Sequence, residues 1–415
     1  MKKHLLLLSL SFFVIGSLTA QEFDPQHPKK PFVNTVSTAA PFLLIAPDAR
    51  AGGMGDMGVA TAPDNYSQHH NPAKYVFNED VFGVGISYSP WLKSLVNDVH
   101  LVYLSSFWKI TDNDAIAGSL RYFTLGEIQF TDKDGLLLNK HTPNEFALDF
   151  SYSRKLSKIV SMALTPRFVY SNLTARFQDK NTGLDMKPGM AGAVDISLFV
   201  DKEFNHNLDG LISSELMFGF NISNIGNKIA YTNDNRRDFL PCNMRLGLSY
   251  AMAFDDYNKL AVSVEAGKLL VPTPSQRISS QTDSLSEKKY TFYGNKGKDH
   301  NELNSIEGIG YAFFGAPGGF QEKMKEVVWS VGAEYSYRDI LYVRAGTFLE
   351  NKYKGGRQFA TVGVGLKYNI FVVDVCYLFS YKQRHPLENT LRFSLTFMLK
   401  SFNKDQIKNQ NRFNK

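Results

Sequence analysis

Cysteine is scarce in this chain: Cys242 and Cys376 are far apart, and neither belongs to a CxxC or Cys/His spacing. That excludes a cysteine-built metal centre and leaves two readings of the pair, two small buried thiols or one bond formed in an oxidising envelope. Long hydrophobic runs are missing too. Past the first residues no segment stays apolar over ~20 positions, and the mean hydropathy is -0.23, so helical membrane spans are excluded. Charge is not weighted to one sign. The formal +6 falls by two, to +4, without Lys2 and Lys3, too mild an excess to imply nucleic acid. There is no GxSxG elbow, and no carboxylate pair sits in a setting that would tune one member for acid catalysis, so no enzyme is expected.

Met1-Lys2-Lys3, an apolar run over residues 5–18, and Leu18-Thr19-Ala20 before Gln21 have the three-part layout of a secretory signal peptide, residues 1–20, with cleavage after Ala20. The run is short for a spanning helix, and no cysteine follows it to carry a lipid. Residues 21–39, rich in Pro, Lys and polar side chains, read as a periplasmic lead. Phe at 32 and Tyr at 20 are high for the length, as aromatic girdles at two membrane interfaces would require.

From about Val81 the hydrophobic period becomes two and stays so almost to the end. Leu391, Phe393, Leu395, Phe397 and Leu399 alternate with Arg392, Ser394, Thr396, Met398 and Lys400. A soluble barrel would turn the greasy face inward; the signal peptide and aromatic content put lipid outside. Strands are expected near 81–88, 97–109, 114–125, 145–155, 159–176, 188–201, 213–224, 242–253, 258–268, 326–338, 339–350, 357–369, 370–382 and 389–400. The fold class is therefore all-β, a transmembrane antiparallel barrel of about 14 strands over residues 78–400, an even number as such barrels require.

The connections alternate in length. Short turns fall at 111–114, 156–158, 255–257, 338–339 and 369–370, with 202–210 a longer one. Loops of 126–144, 177–187, 225–241 and 269–325 alternate with them. Short periplasmic turns and long external loops then place both termini, including a tail at 401–415, in the periplasm. Arg121, Arg167, Arg245, Arg344, Lys367 and Arg392 take inward positions, balanced by Asp149, Asp195, Glu265, Glu334 and Asp374. Such a mixture should pair into a network that stiffens the wall and fills the lumen, unlike a greasy tunnel.

The rest is organised around residues 40–77, APFLLIAPDARAGGMGDMGVATAPDNYSQHHNPAKYVF. Pro41, Pro47, Pro63 and Pro72, with Gly52, Gly53, Gly55 and Gly58, break any ladder, while Leu43, Leu44, Ile45, Met54 and Val59 still ask for burial. An irregular hatch or plug inside the barrel satisfies both demands. Asn71-Pro72-Ala73 resembles the hatch of outer-membrane barrels of the long-chain fatty-acid transporter (FadL) superfamily. The longer run, with Asp48, Arg50, Gly52, Gly53, Gly55 and Asp56 followed by Asn65, Gln68, His69, His70, Asn71, Pro72 and Ala73, resembles the PorV family of the Bacteroidetes type IX secretion system.

Other motifs yield to simpler readings. Residues 53–58 match GxGxxG, but no strand precedes them and no crossover helix follows, so turn glycines explain them better than a cofactor. His69 and His70 are adjacent, which sends their side chains apart, and no cluster completes a metal shell. Asp132-Lys133-Asp134-Gly135 lacks the later ligands of a calcium loop. No cofactor or metal is expected. In the longest loop, Tyr311, Phe313, Phe314 and Phe320 stand in a glycine-rich run, which is either a cap over the barrel mouth or a protein-binding surface.

Two functions follow. The resemblance implies a non-enzymatic secretion component that accepts exported cargo proteins through their C-terminal signal domains. It also implies partners: a SprA/Sov-type translocon, a PorU-type sortase and outer-membrane lipid. The alternative is a FadL-like channel for hydrophobic small molecules, against which the charged inward positions speak.

Overall fold

The computed structural model describes residues 34–91, 96, 98–131, 137–173, 186–208, 210–233, 236–279, 290–293, 295, 298–299, 302–381 and 387–400. The expected signal peptide, most of the lead and the tail at 401–415 lie outside the described residues.

Fourteen antiparallel strands close into one ring. In chain order they are β1 (Asp80–Pro90), β2 (Val99–Lys109), β3 (Asp114–Leu125), β6 (Asn144–Lys155), β7 (Val160–Asn172), β8 (Gly189–Leu208), β9 (Leu211–Gly226), β10 (Asn243–Ala253), β11 (Asn258–Leu269), β14 (Val328–Tyr337), β15 (Leu341–Leu349), β16 (Gln358–Tyr368), β17 (Phe371–Ser380) and β18 (Leu391–Lys400). Neighbours in sequence are neighbours in space, and β1 closes on β18 from Phe82 opposite Leu399 to Tyr88 opposite Phe393. Two hairpins stand apart from the wall, β4 (Ile128–Thr131) with β5 (Leu137–His141), and β12 (Gln276–Ser279) with β13 (Tyr290–Tyr293).

The alternation points the polar face in. On β18, Arg392, Ser394 and Thr396 are buried while Phe393 and Leu395 are exposed, the inverse of a soluble barrel and the pattern expected where lipid surrounds the wall. Exposed aromatics gather at both margins, Trp108, Tyr152, Tyr337, Tyr368 and Phe371 near the short turns and Tyr88, Tyr122, Phe168, Trp329 and Phe379 near the long loops. No helix among the described residues is long and apolar enough to cross a membrane. The tight turns have the backbone they need: Arg338 and Asp339 both take positive φ, 56° and 52°, which matches the twist of a two-residue hairpin.

Two expectations need correction. The stretch 202–210 is not a loose turn: β8 and β9 run on to Leu208 and Leu211, so this hairpin projects beyond the ring. The aromatic run of the longest loop is helical, in α3 (Ser305–Phe314) and α4 (Gly319–Met324). A capping box starts α3: Asn304 accepts from the Glu307 amide at 2.8 Å, and Glu307 accepts from the Asn304 amide at 3.3 Å. The first and last described residues lie at opposite mouths. Lys400 is at the turn mouth beside Asp80, whereas Asn34 is held at the loop mouth by the carbonyls of Tyr353 and Pro274 and the carboxylate of Glu322, each at 3.2 Å.

Candidate functional site

Residues 34–77 run through the lumen from the loop mouth to the turn mouth. A short 3-10 turn (Pro41–Leu44) leads to α1 (Ala49–Gly53), α2 (Ser67–His70) and a second 3-10 turn (Pro72–Phe77). Side-chain caps take the place of a ladder. Asp48 accepts from the Ala51 amide at 2.8 Å, Asn71 accepts from the Ala73 amide at 3.1 Å, and Pro72 starts its turn where no N–H is needed. Asp48 also meets His70 Nε2 at 3.0 Å, which ties α1 to α2.

Every residue singled out in this stretch meets the wall or its own segment. Gly52 lies against Cys376 and Arg392, and Gly53 against Gly363. Gly55 has φ +78° against the backbone of Thr347, so it needs glycine twice over. The Asn65 amide sits between Ser105 of β2 and residues 83–85 of β1. Asn71 Nδ2 donates to Val59 O at 2.9 Å and Leu198 O at 3.0 Å; Ser153 donates to Pro72 O and Ser161 to Ala73 O. Gln68 is fully buried and its side-chain amide finds no partner. Apolar packing adds to this: Ala39, Ala40, Phe42 and Leu43 share a core with Val99, Leu101, Phe123 and Val169 of the wall.

The inward charges pair, as a low-dielectric lumen demands. Arg50 grips Glu334 with two bonds, at 3.0 and 2.9 Å, and reaches Asp64 at 2.9 Å. Arg344 bridges the same Glu334 and Asp374, both at 2.5 Å. Arg392 closes on Asp56. Arg167 of β7 spans four consecutive strands, meeting Asp149 of β6 at 2.6 Å, Asp195 of β8 at 2.9 Å and Asn224 of β9. Three expected members serve otherwise. Glu265 accepts from the Gly58 and Val59 amides, both at 2.9 Å, and Arg121 is held by the carbonyls of Phe42 and Leu43 and by His69 Nδ1. Arg245 likewise bonds the His69 carbonyl at 2.9 Å. Lys367 stays outside this network, at the turn mouth, lining a cavity.

The segment leaves space at each end. A cavity of 430 Å³ opens at the turn mouth beside Lys367, Lys400, Asp201 and Glu215. One of 460 Å³ lies at the loop mouth, where Trp91, Phe348, Phe359 and Leu387 face Arg245 and Glu265.

Above the loop mouth, α3 and α4 separate the four loop aromatics. Tyr311 packs on Phe239, Val271 and Leu303, whereas Phe314 is 89% and Phe320 76% exposed, with Phe313 between these extremes at 37%. Ile306 and Met324, which the sequence did not single out, are exposed beside them; the capping box was the available signal. A buried lysine cluster also went unseen. Glu326 takes Lys268 at 2.8 Å, Lys323 at 3.3 Å and Lys354 at 3.2 Å, and Lys354 takes Glu322 at 2.5 Å. Burial pushes Lys323 down to about 8, against the pull of Glu326. Cys242 and Cys376 are free and buried, which removes the disulfide reading. Among the described residues no group of His, Cys, Asp and Glu could hold a metal ion.

A family model described as "Type IX secretion system protein PorV" matches residues 28–276. No curated protein matches the chain. Among solved structures, the Pseudomonas putida toluene transporter TodX aligns with a TM-score of 0.49 and 11% identity over 89% of this chain and 100% of that one. The Ralstonia pickettii toluene transporter TbuX aligns with a TM-score of 0.46 and 11% identity over 86% and 99%. A Pseudomonas aeruginosa FadL homologue aligns with 0.42 and 11% over 88% and 99%.

Proposed function

Since the chain belongs to the PorV family of type IX secretion system proteins, we propose that it is a non-enzymatic component that binds exported cargo by its C-terminal signal domain. It would take cargo at a SprA/Sov-type translocon and deliver it to a PorU-type sortase at the cell surface. The closed ring with a greasy outer face fits an outer-membrane protein. Its short turns would face the periplasm and its long loops the outside, with residues 40–77 as a permanent hatch.

The observation that carries this reading is the filled lumen. A segment bonded to the loop mouth through Asn34 and continuous with β1 at the turn mouth leaves little room for transit. Work must then be done on surfaces, and among the described residues Phe314 and Phe320 are the most exposed aromatics at the loop mouth. Replacing both by Ser should weaken capture of cargo or translocon by ~1 kcal/mol or more per true hot spot, while the barrel stays heat-modifiable on gels. Pull-down and secretion assays read the loss; if both are unchanged, the contact is elsewhere and the reading loses its surface.

A FadL-like channel for hydrophobic solutes is the second reading, and the aromatic side of the loop-mouth cavity favours it. Below that side lie Arg245 and Glu265, both committed to holding the segment, a poor floor for an apolar path. Uptake of an apolar solute that is lost on replacing Phe348 and Phe359, with secretion intact, would bring this reading forward.

A further inference from the structure

The projecting hairpin leaves a strand edge uncovered. β7 covers β8 only as far as the turn before Val160: the Asp201 amide donates to Ile159 O at 2.9 Å, and that is the last backbone bond on this side. Past it, β8 is paired on β9 alone, Glu203 with Glu215, Phe204 with Ser214 and Asn205 with Ser213. Backbone groups alternate along an antiparallel strand, so the N–H and C=O of Glu203 and Asn205 point the way that Asp201 points, away from β9. Among the described residues nothing bonds them. An edge of this kind is a template for another strand, and natural edges usually blunt it with a proline, a lysine or a bulge. Here a register shift after Asn205 limits the open edge to residues 202–206.

The charge beside the edge specifies what it would take. Glu203 and Glu215 are direct cross-strand neighbours of like sign in a non-hydrogen-bonded pair, where side chains stand closest. Asp201 stands on the same inward side and shares a side-chain hydrogen bond with Glu215, while its other carboxylate oxygen is buried. All three line the turn-mouth cavity. No ion pair satisfies any of them among the described residues. Nine carboxylates and five cations line that cavity: Arg50 is paired with Glu334 and Asp64, Arg344 with Glu334 and Asp374, Lys259 with Asp339 and Lys400 with Glu79, and Lys367 is the fifth. A net acidic face against a free backbone edge is complementary to an extended chain that carries positive side chains.

We propose that residues 202–206 of β8 accept, as an added antiparallel or parallel strand, an extended basic segment of a partner protein at the turn mouth. That this partner is periplasmic rests on the orientation proposed above; the pairing itself does not.

The test uses the full chain purified in detergent and a fluorescent synthetic peptide of alternating Lys and Val. Peptides of alternating Glu and Val, and of alternating Lys and Pro, serve as comparisons. The Lys/Val peptide should bind, with affinity falling as salt rises, and the other two should not. Asn205→Pro removes an edge donor that faces away from β9, so it should weaken binding about tenfold while the β8–β9 pairing stands. Glu203→Gln with Glu215→Gln should weaken it comparably, flatten the salt dependence, and leave folding intact should the proline variant be lost. Equal binding of the Glu/Val peptide, or no change with either variant set, overturns the proposal. So does binding that appears only after removal of residues 401–415, since Lys404, Lys408, Arg412 and Lys415 would make the chain's own tail the occupant.

Discussion

Gly219→Ala tests how the inner segment is seated. Gly219 of β9 and Gly247 of β10 are cross-strand partners, and both face the backbone turn at Val59 and Ala60. A Cβ on Gly219 would sit within the Val59 carbonyl, 2.5 Å from its carbon and 3.0 Å from the Ala60 nitrogen. Carbon atoms rest about 3.5 Å apart, so the segment must retreat by about 1 Å. The Gly58 and Val59 amides each reach Glu265 at 2.9 Å, and that retreat would stretch both bonds past their useful range. Two hydrogen bonds to a buried carboxylate are worth roughly 3–6 kcal/mol together. A Cβ on Gly247 would meet side-chain atoms instead, Val59 Cγ1 at 2.5 Å and Ala60 Cβ at 3.0 Å, and Val59 can turn aside at a cost of about 1 kcal/mol. In planar bilayers the native barrel should show little steady conductance, Gly247→Ala should resemble it, and Gly219→Ala should open frequently and unfold in less urea. If the two variants behave alike in both assays, the wall is more pliant than this reasoning allows and the seating argument fails.

Tags inserted between residues 269 and 325 should be labelled on intact cells and tags after Lys400 should not; labelling of the second set would invert the proposed orientation. Lys323 titrates at about 8 in the folded protein against 10.5 as its ordinary value. The unfolded group therefore holds more protons between those values, so stability around α4 should rise from pH 8 toward 10.5 and be flat below 8. Limited proteolysis of this region, corrected with an unfolded substrate, should slow over that interval, and faster cleavage would refute the sign.

The wall was legible because period two is written at every residue: each strand lies within a few residues of its expected span, and even the tight turn at Arg338 and Asp339 falls in place. The extension of β8 was not, since residues 202–206 project beyond the ring and have no core to imprint an alternation. Helix α3 was obscured by Gly308 and Gly310 within an aromatic run, although Asn304 and Glu307 carried its start. In the lumen, parity told which side chains turn inward but not whom they meet. Arg50 reaches Glu334, 284 positions away, and that pairing depends on barrel shear and on the depth at which the segment sits, neither of which leaves a local signature. Glu265 was expected to balance a cation; it serves instead as the acceptor for two amides that no ladder satisfies.

The direction in which residues 34–77 thread the barrel ties the loop mouth to the lumen. Asn34 is held by Glu322, and Glu322 belongs to α4, the helix that also presents Phe320. Lys354 joins Glu322 to Glu326, and Glu326 reaches back through Lys268 to the wall at β11. A displacement of α4 must therefore cost Asn34 its bond to Glu322 or break a buried ion pair, a loss of about 3–5 kcal/mol. At the other end the chain passes from Phe77 directly into β1, where no such release exists short of unzipping the ring. Among the described residues the upper anchor is thus the weaker of the two, and one of its bonds comes from the same helix that carries the exposed aromatic face, so a partner that grips that face acts on that anchor.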